Sequence, residues 1–523
     1  MLSLSACRPL RPAPPAAPEV VAVTAASENA TATVAVAPTE APPLPTATQP
    51  EQLQPTAPAS PFDTPFDDRD IYAGGLVPGE RGVLQGLPGA PVYHIDVAID
   101  DAMTTVAGRQ TLFYTNQEDV TLSEVYFHLH PRTLDGAIAV ADVTVDGAAT
   151  AIDSDGAILR VSLPVPLAPG ESATIALRFE TTVPTSIGRN YGVLAYYDNT
   201  LALAHFYPML AVYDDEGWNI APPDIQGDLT YSDAAFYLVR VSAPADVVLA
   251  GAGTIVDETR EGDRQTVTYA LGPARDFYLA AGDFVVVSHT TGETTVNSYA
   301  PAYLLDGASL ALDVATRALT TFNEQLGPYP YTELDIVTTP TSALGIEYPG
   351  LIAGTVNMYD IGRVTRDGRT YRDILESTTV HEVAHQWFYN IVGNDQLDEP
   401  WLDEALASYY AYRFYLSRYG PATADDYFGM FYSRYAGMTD VKPAGLPVDA
   451  YEDNEYSAAV YGRGPVFVRT LEETMGRDMF DAFLRDYVAR YRWQIATTAE
   501  FRALAEQHCA CDLGPLFAEW IYE

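Results

Sequence analysis

The chain has 523 residues, too many for one ordinary domain, and 48 % of them are hydrophobic, enough for more than one core. Seventy acidic residues stand against 29 basic ones, with Lys442 the only lysine, and the net charge of -41 repels nucleic-acid phosphates and anionic membranes. No run of 18 or more apolar residues is present to span a bilayer by itself.

Near the amino terminus Leu4-Ser5-Ala6-Cys7 resembles the bacterial lipobox, whose cysteine is lipidated and becomes the first residue of the mature protein. Only six residues precede Cys7. A signal peptide needs a basic start and an apolar run of at least about 7 residues. The expectation is therefore a start codon further upstream and an extracytoplasmic protein anchored by lipid to the outer face of a bacterial membrane. If Met1 is the true start, the protein is cytoplasmic. From Arg8 to Asp67 the chain is rich in Pro, Ala, Thr and Val with almost no aromatics, which reads as a disordered tether.

From Ile71 to Val287 the pattern is all β. Segments such as Tyr93 to Ile99 and Glu124 to Leu129 alternate apolar with polar residues between turn signals, and predict packed antiparallel sheets in a domain spanning 68–290. His128 and His130, two apart, read as strand-surface residues rather than a second metal site. Phe206 to Asp228 form a loop long enough to wall a neighbouring cleft. Beyond Val296 the periodicity becomes helical in ASLALDVATRALTTFNEQLG, a strand follows at Leu334 to Val337, and the rest of the second domain, 291–523, reads as α-rich with a small sheet.

Within that domain lies HEVAHQWF. On a helix His381 and His385 are one turn apart on one face and can reach one metal ion, with Glu382 beside them. A zinc ion with three protein ligands keeps a position for water, lowers its pKa to about 7, and lets a neighbouring carboxylate take its proton. Glu404 follows His385 after eighteen intervening residues. Gly393 and Asn394 are placed to end the first helix and Pro400 to open a second near Trp401, which folds back to deliver Glu404 as third ligand. No histidine occupies the third-ligand position of H-E-x-x-H-x-x-G-x-x-H, so a carboxylate ligand fits better. Cys509 and Cys511, beside His508, read as two free thiols, with a disulfide or a soft metal site as alternatives.

Four motifs together resemble the aminopeptidase N family of zinc metallopeptidases, the gluzincins, over roughly Tyr93 to the end. HEVAHQWF with WLDEALASYY resembles the zinc helix and third-ligand helix, ALGIEYPG the G-A-M-E-N exopeptidase strand, VYGRGP the Y-x-K-G segment, and GPYPY a signature at the front of the catalytic domain. The resemblance implies one Zn2+ per chain on His381, His385 and Glu404, with Glu382 as general base. It also implies Glu347 as the site for the substrate's α-amine within a substrate-binding segment that includes Gly345 and Tyr348, Tyr461 as donor to the tetrahedral intermediate, and a minor role for Tyr456. Leu344, Ile346 and Tyr348 depart from the exopeptidase motif, which leaves the first side-chain pocket open. The family's substrate-binding glutamine has no evident match in AHFYPMLAVYDDEG. The resemblance ends with the family's catalytic domain, so the expectation is a short form without the large helical carboxy-terminal domain.

The reading is an α+β multidomain protein: an antiparallel β saddle or sandwich followed by a thermolysin-like zinc peptidase domain. Its expected activity is removal of amino-terminal residues from peptides. A metalloendopeptidase with the same site and a non-catalytic surface-binding module are the alternatives. Peptides are the expected partners and nucleic acid is not, a membrane enters only through the lipid anchor, and the oligomeric state stays open.

Overall fold

The computed structural model describes residues 60–221, 227, 230–366, 368–452 and 454–522. Cys7 and nearly all of the expected tether lie outside the described residues. The last part of that stretch, 60–67, is packed instead: Phe66 stacks on Phe113 with ring centroids 5.8 Å apart, and Phe62 lies under the Arg240 guanidinium at 4.4 Å. Two phenylalanines give this short segment the apolar area to dock, which an average over a proline-rich stretch conceals.

An eight-stranded sheet organises the amino-terminal half, in the order Thr254–Glu261, Arg264–Ala274, Ala235–Pro244, Val92–Ile99, Thr105–Thr115, Ser172–Thr182, Ala137–Val145, Ala148–Ala149. Alternate residues are buried, as along Ser172–Thr182, so one face of each strand meets the core. One pair departs from the expected antiparallel pattern: Val92–Ile99 runs parallel to Ala235–Pro244, with Val92 opposite Phe236. A parallel pair requires a long crossover, and residues 100–234 supply it. Two four-stranded sheets accompany the large one. Between Asp70 and Gly86, where strands are expected, the chain makes 3-10 turns and one short helix, because Pro78 and five glycines interrupt any extended pairing. His128 and His130 are not on a strand surface. Both are buried, with rings stacked 5.1 Å apart, and Met209 pairs across from His128.

The second half is built on a five-stranded sheet in the order Val285–Thr291, Thr294–Ala300, Glu333–Thr339, Leu351–Thr355, Gly345–Ile346. It starts at Val285, so residue 290 lies within its first strand, which forms a hairpin with Thr294–Ala300. Helix α1 (Leu305–Leu326) lies against the sheet through Ala308, Ala311, Ala315, Ala318, Leu319 and Phe322, a stripe at helical spacing. Helices α2 (Tyr371–Ala384) and α3 (Trp401–Tyr419) pack next, followed by α4 (Pro421–Tyr435) and α5 (Gly464–Met475).

Thr370 caps α2 by accepting from Asp373 N at 3.1 Å. The regular helix stops at Ala384 with His385 as its cap, earlier than Gly393. The chain then continues in wide turns, with Asn390 N bonded to His385 O at 3.1 Å and Val392 N to Trp387 O at 3.0 Å. Gly393 has a different purpose: a Cβ there would lie 2.5 Å from Arg275 Cζ. Pro400 does open α3, at its cap. Cys509 and Cys511 are joined by a disulfide rather than free, the left-handed backbone of Ala510 bringing them together, while His508 pairs with Asp486 at 2.9 Å. Among the described residues no helix is long and apolar enough to cross a membrane.

Candidate metal centre and active-site cleft

Helix α2 presents His381 and, at its cap, His385 one turn apart, and α3 brings Glu404 to them from its first turn. His381 Nε2 is 3.0 Å from His385 Nε2, and Glu404 Oε2 lies 3.1 Å from the first and 3.4 Å from the second. His385 Nδ1 is 3.0 Å from the Phe388 carbonyl, which can only accept, so Nδ1 carries a proton and Nε2 is the nitrogen that faces the triangle. Two imidazole nitrogens and a carboxylate oxygen thus converge on one point.

The electrostatics ask for positive charge there. Burial pulls the pKa of His385 down, but Glu347 and Glu404 outweigh it and hold it well above the usual value. Burial pushes Glu404 up, and its bonds to His381 and His385 more than reverse this. A divalent cation answers both demands. The donor set of two nitrogens and one carboxylate is that of a three-ligand zinc site with one position left for another ligand.

The triangle opens into a cleft of about 920 Å³ lined by both halves of the described chain. Glu382 is buried on α2, and burial together with Glu347 pushes its pKa well above the usual carboxylate range. Its neighbour across the cleft is the edge strand Gly345–Ile346, where a Cβ on Gly345 would lie 2.4 Å from Glu382 Oε1. Glu347 is buried and accepts from Gln396 Nε2 at 3.4 Å. Tyr348 stacks on Tyr278 at 4.0 Å. Gln386, one residue after His385, holds this segment in place: its Nε2 donates to Tyr348 O at 3.1 Å and its Oε1 accepts from Gly350 N at 2.9 Å. Tyr461 sits in a π-helical turn, Ala459–Arg463, and its hydroxyl donates to Glu404 Oε1. Tyr456 packs edge-on against it at 5.8 Å.

Gly345, Glu347, Tyr348, His381, Glu382, Glu404 and Tyr461 therefore line one cleft, with His385 buried behind them against His381 and Glu404. Others there carried no signal strong enough to single them out. Asp403 precedes Glu404 and accepts from Gln396 Nε2 at 2.7 Å, with burial pushing its pKa up to about 7. His205 and Asp276 reach the cleft from the amino-terminal half. His205 belongs to AHFYP, the stretch in which no substrate-binding glutamine could be matched. Of the long loop, Gly227 reaches the cleft, while Tyr213–Asp214 and Gly217–Trp218 pair in a small hairpin.

Residues 310–520 match the peptidase family M1 domain. The chain is 26 % identical over 309 residues to aminopeptidase M1-B of Oryza sativa subsp. japonica, a match covering 55 % of this chain and 34 % of that protein. It is 26 % identical over 330 residues to aminopeptidase N of Acetobacter pasteurianus, covering 61 % and 88 %. The chain thus spans about a third of the length of the plant relative. An M1 zinc metallopeptidase from Deinococcus radiodurans shares the fold with a TM-score of 0.66 at 21 % identity, over 83 % of this chain and 94 % of that one. A mutant of that peptidase bound to a Tyr-Ser-Ala substrate aligns with a TM-score of 0.63. The two-domain architecture, the converging triangle and the match over 310–520 lead to one conclusion: residues 310–520 are similar to the peptidase family M1 domain, and the chain shares the fold of a two-domain M1 zinc metallopeptidase.

Proposed function

We propose that the protein is a zinc-dependent aminopeptidase that removes amino-terminal residues from peptides, with one zinc per chain held by His381, His385 and Glu404. The observation that carries the reading is the approach of two imidazole nitrogens and a carboxylate oxygen to within 3.4 Å of one another, beside a buried glutamate in a cleft. Zinc bound there supplies Lewis acidity toward the scissile carbonyl and an acidified water.

The chain's own groups do the rest. Glu382 takes the proton of the attacking water on its carboxylate and passes it to the leaving amine nitrogen. Tyr461 Oη, freed from Glu404, donates to the oxygen that becomes negative. Glu347 receives the substrate's α-ammonium and so sets the first peptide bond over the site. The edge strand Gly345–Ile346 offers unpaired backbone groups to an extended peptide, and Tyr348 walls the first side-chain pocket.

Aminoacyl fluorogenic amides test this directly. The zinc-loaded protein should cleave them, chelation should abolish turnover and zinc restore it, and Glu382→Gln should be nearly inactive with its zinc retained. Acetylating the substrate amine should cost about 10- to 150-fold in kcat/KM, the worth of a charged hydrogen bond. Equal cleavage of free and acetylated peptides would assign an endopeptidase instead.

We also infer extracytoplasmic anchoring through a lipid on Cys7. Its support is the Leu4 to Cys7 motif and the proline-, alanine- and threonine-rich stretch behind it. Expressed from its native locus, the protein should enter the detergent phase and the Cys7→Ser variant should not.

A further inference from the structure

Tyr461 is carried by a part of the fold that stands apart from the main core. Val448, Tyr451, Tyr456, Ala459 and Val460 form a small buried apolar cluster of their own, against which Leu446 and Tyr461 pack. The turn itself is weak by local measures. Ala459–Arg463 is π-helical, a form found almost only as single turns, and Arg463 stands between Gly462 and Gly464, residues that loosen helical backbone. Gly464 has no alternative, because a Cβ there would lie 2.7 Å from that of Ala405, the neighbour of Glu404. What holds Tyr461 in place must therefore come from outside its turn.

Arg463 supplies that hold. Its Nη1 donates to Val441 O at 2.8 Å, its Nη2 donates to Glu519 O, and its guanidinium carbon lies 5.5 Å from the centroid of the Trp520 ring. A planar fork that meets two carbonyls fixes orientation as well as position. The chain it grips is the π-helical turn Ala518–Tyr522, and that turn is tied down in its own right. Trp520 O accepts from Ala444 N at 3.0 Å, Ile521 O accepts from Gly445 N at 3.2 Å, and the Ile521 side chain is fully buried. Phe517, just ahead of the turn, packs edge-on against Phe467 of α5 with ring centroids 5.0 Å apart. Tyr461 lines the cleft, and the contacts of Arg463 point away from it.

We infer that Arg463, clasped between Val441 and the turn Ala518–Tyr522, is a positioning residue for Tyr461. It fixes the π-helical turn so that the tyrosine hydroxyl stands at Glu404 Oε1, beside the metal-binding triangle, before substrate arrives. The inference rests on the reading of Tyr461 as donor to the oxygen that becomes negative. Arg463 acts only through the tyrosine.

Two readouts on the zinc-loaded protein test it: hydrolysis of aminoacyl amides, and calorimetric binding of a dipeptide phosphinate, a tetrahedral analogue of the attacked carbonyl. Arg463→Met should lower kcat by more than tenfold, up to about 10²-fold, with KM within about twofold, the effect that about 1 Å of misplacement produces. It should weaken the phosphinate by more than about tenfold, because that ligand needs the same hydroxyl. The decisive comparison is a double-mutant cycle. Tyr461→Phe alone should impair both readouts, and adding Arg463→Met should change either by no more than about twofold, since nothing is left to position. Arg463→Lys, whose ammonium cannot serve both carbonyls as a fork does, should recover part of the loss. Gly445→Ala reaches the same assembly from its far side, as its Cβ would lie 2.4 Å from Ile521 Cγ2 and 2.8 Å from Ile521 O, and it carries the same cycle should Arg463→Met fail to fold. Equal losses in the native and Tyr461→Phe backgrounds overturn the inference, because the arginine then acts on the fold and not through the tyrosine. So does a native kcat in both Arg463→Met and Gly445→Ala. Failure of the underlying reading shows separately, as a Tyr461→Phe protein with native kcat and native phosphinate affinity, and it takes the inference with it.

Discussion

Gly345 is a position where a missing side chain makes room for a working one. A Cβ there would lie 2.4 Å from Glu382 Oε1 and 2.6 Å from Cδ and Cγ. Those atoms are the far end of a side chain, so the carboxylate can yield where backbone cannot. Gly345→Ala should therefore fold with nearly native stability yet displace Glu382 from the position in which it is proposed to act as base. A shift of about 1 Å in such a group can cost about 10²-fold in rate. Steady-state kinetics beside a melting curve checks this: kcat should fall by more than tenfold while Tm stays within a few degrees. A native kcat would mean that Glu382 is not the base or that it has room to spare.

The relevant elements are α2 with its wide turn and the segment from Gly345 to Gly350. Neither is rigid by itself, since Gly345–Ile346 is a two-residue edge strand and α2 ends at the turn that carries His381 and His385. Gln386 joins them by bonding Tyr348 O and Gly350 N, both buried. Gln386→Ala leaves a buried donor and a buried acceptor unmet, at about 1–3 kcal/mol each. Urea unfolding should show a loss of at least about 2 kcal/mol. The loosened segment should also raise KM for free-amine substrates more than for acetylated ones, because Glu347 directly precedes the clamped Tyr348. A uniform change in both KM values would make the clamp purely structural.

Across the whole molecule, the halves are tied by one buried cation. Arg275 leaves the large sheet and donates to Tyr389 O at 3.3 Å, Asn390 O at 3.2 Å, Ser232 O at 3.2 Å and Gln494 O at 2.8 Å. Burial lowers its pKa and Asp233 is its main charged support. Gly393 is bare because the guanidinium passes there. Arg275→Met removes the donors from four carbonyls and leaves Asp233 without its cation, which should cost at least about 3 kcal/mol in denaturant unfolding. The cleft forms between the halves, so the variant should lose activity at temperatures below its melting transition. Unchanged stability would mean that water satisfies those carbonyls.

The sequence alone determined that His381, His385 and Glu404 converge, because His381 and His385 are four residues apart on one helix and Glu404 lies at the start of the next, where Pro400 marks the boundary. Local spacing is enough when the partners share an element or adjoining ones. It also determined the β-then-α order and the placement of Glu382, and the family motifs led to Glu347 and Tyr461. Tertiary structure alone decided the rest. His205 and Asp276 are far apart in sequence and meet because Thr200–Leu203 pairs with Leu279–Gly282, and Arg275 reaches Tyr389 and Gln494 in the other half. The parallel pairing of Val92–Ile99, the docking of Phe62 and Phe66, the burial of His128 and His130 and the Cys509–Cys511 disulfide have the same cause. Each depends on which surfaces meet or how the backbone turns in the folded chain, and periodicity records only which face of an element is apolar, not what it will face.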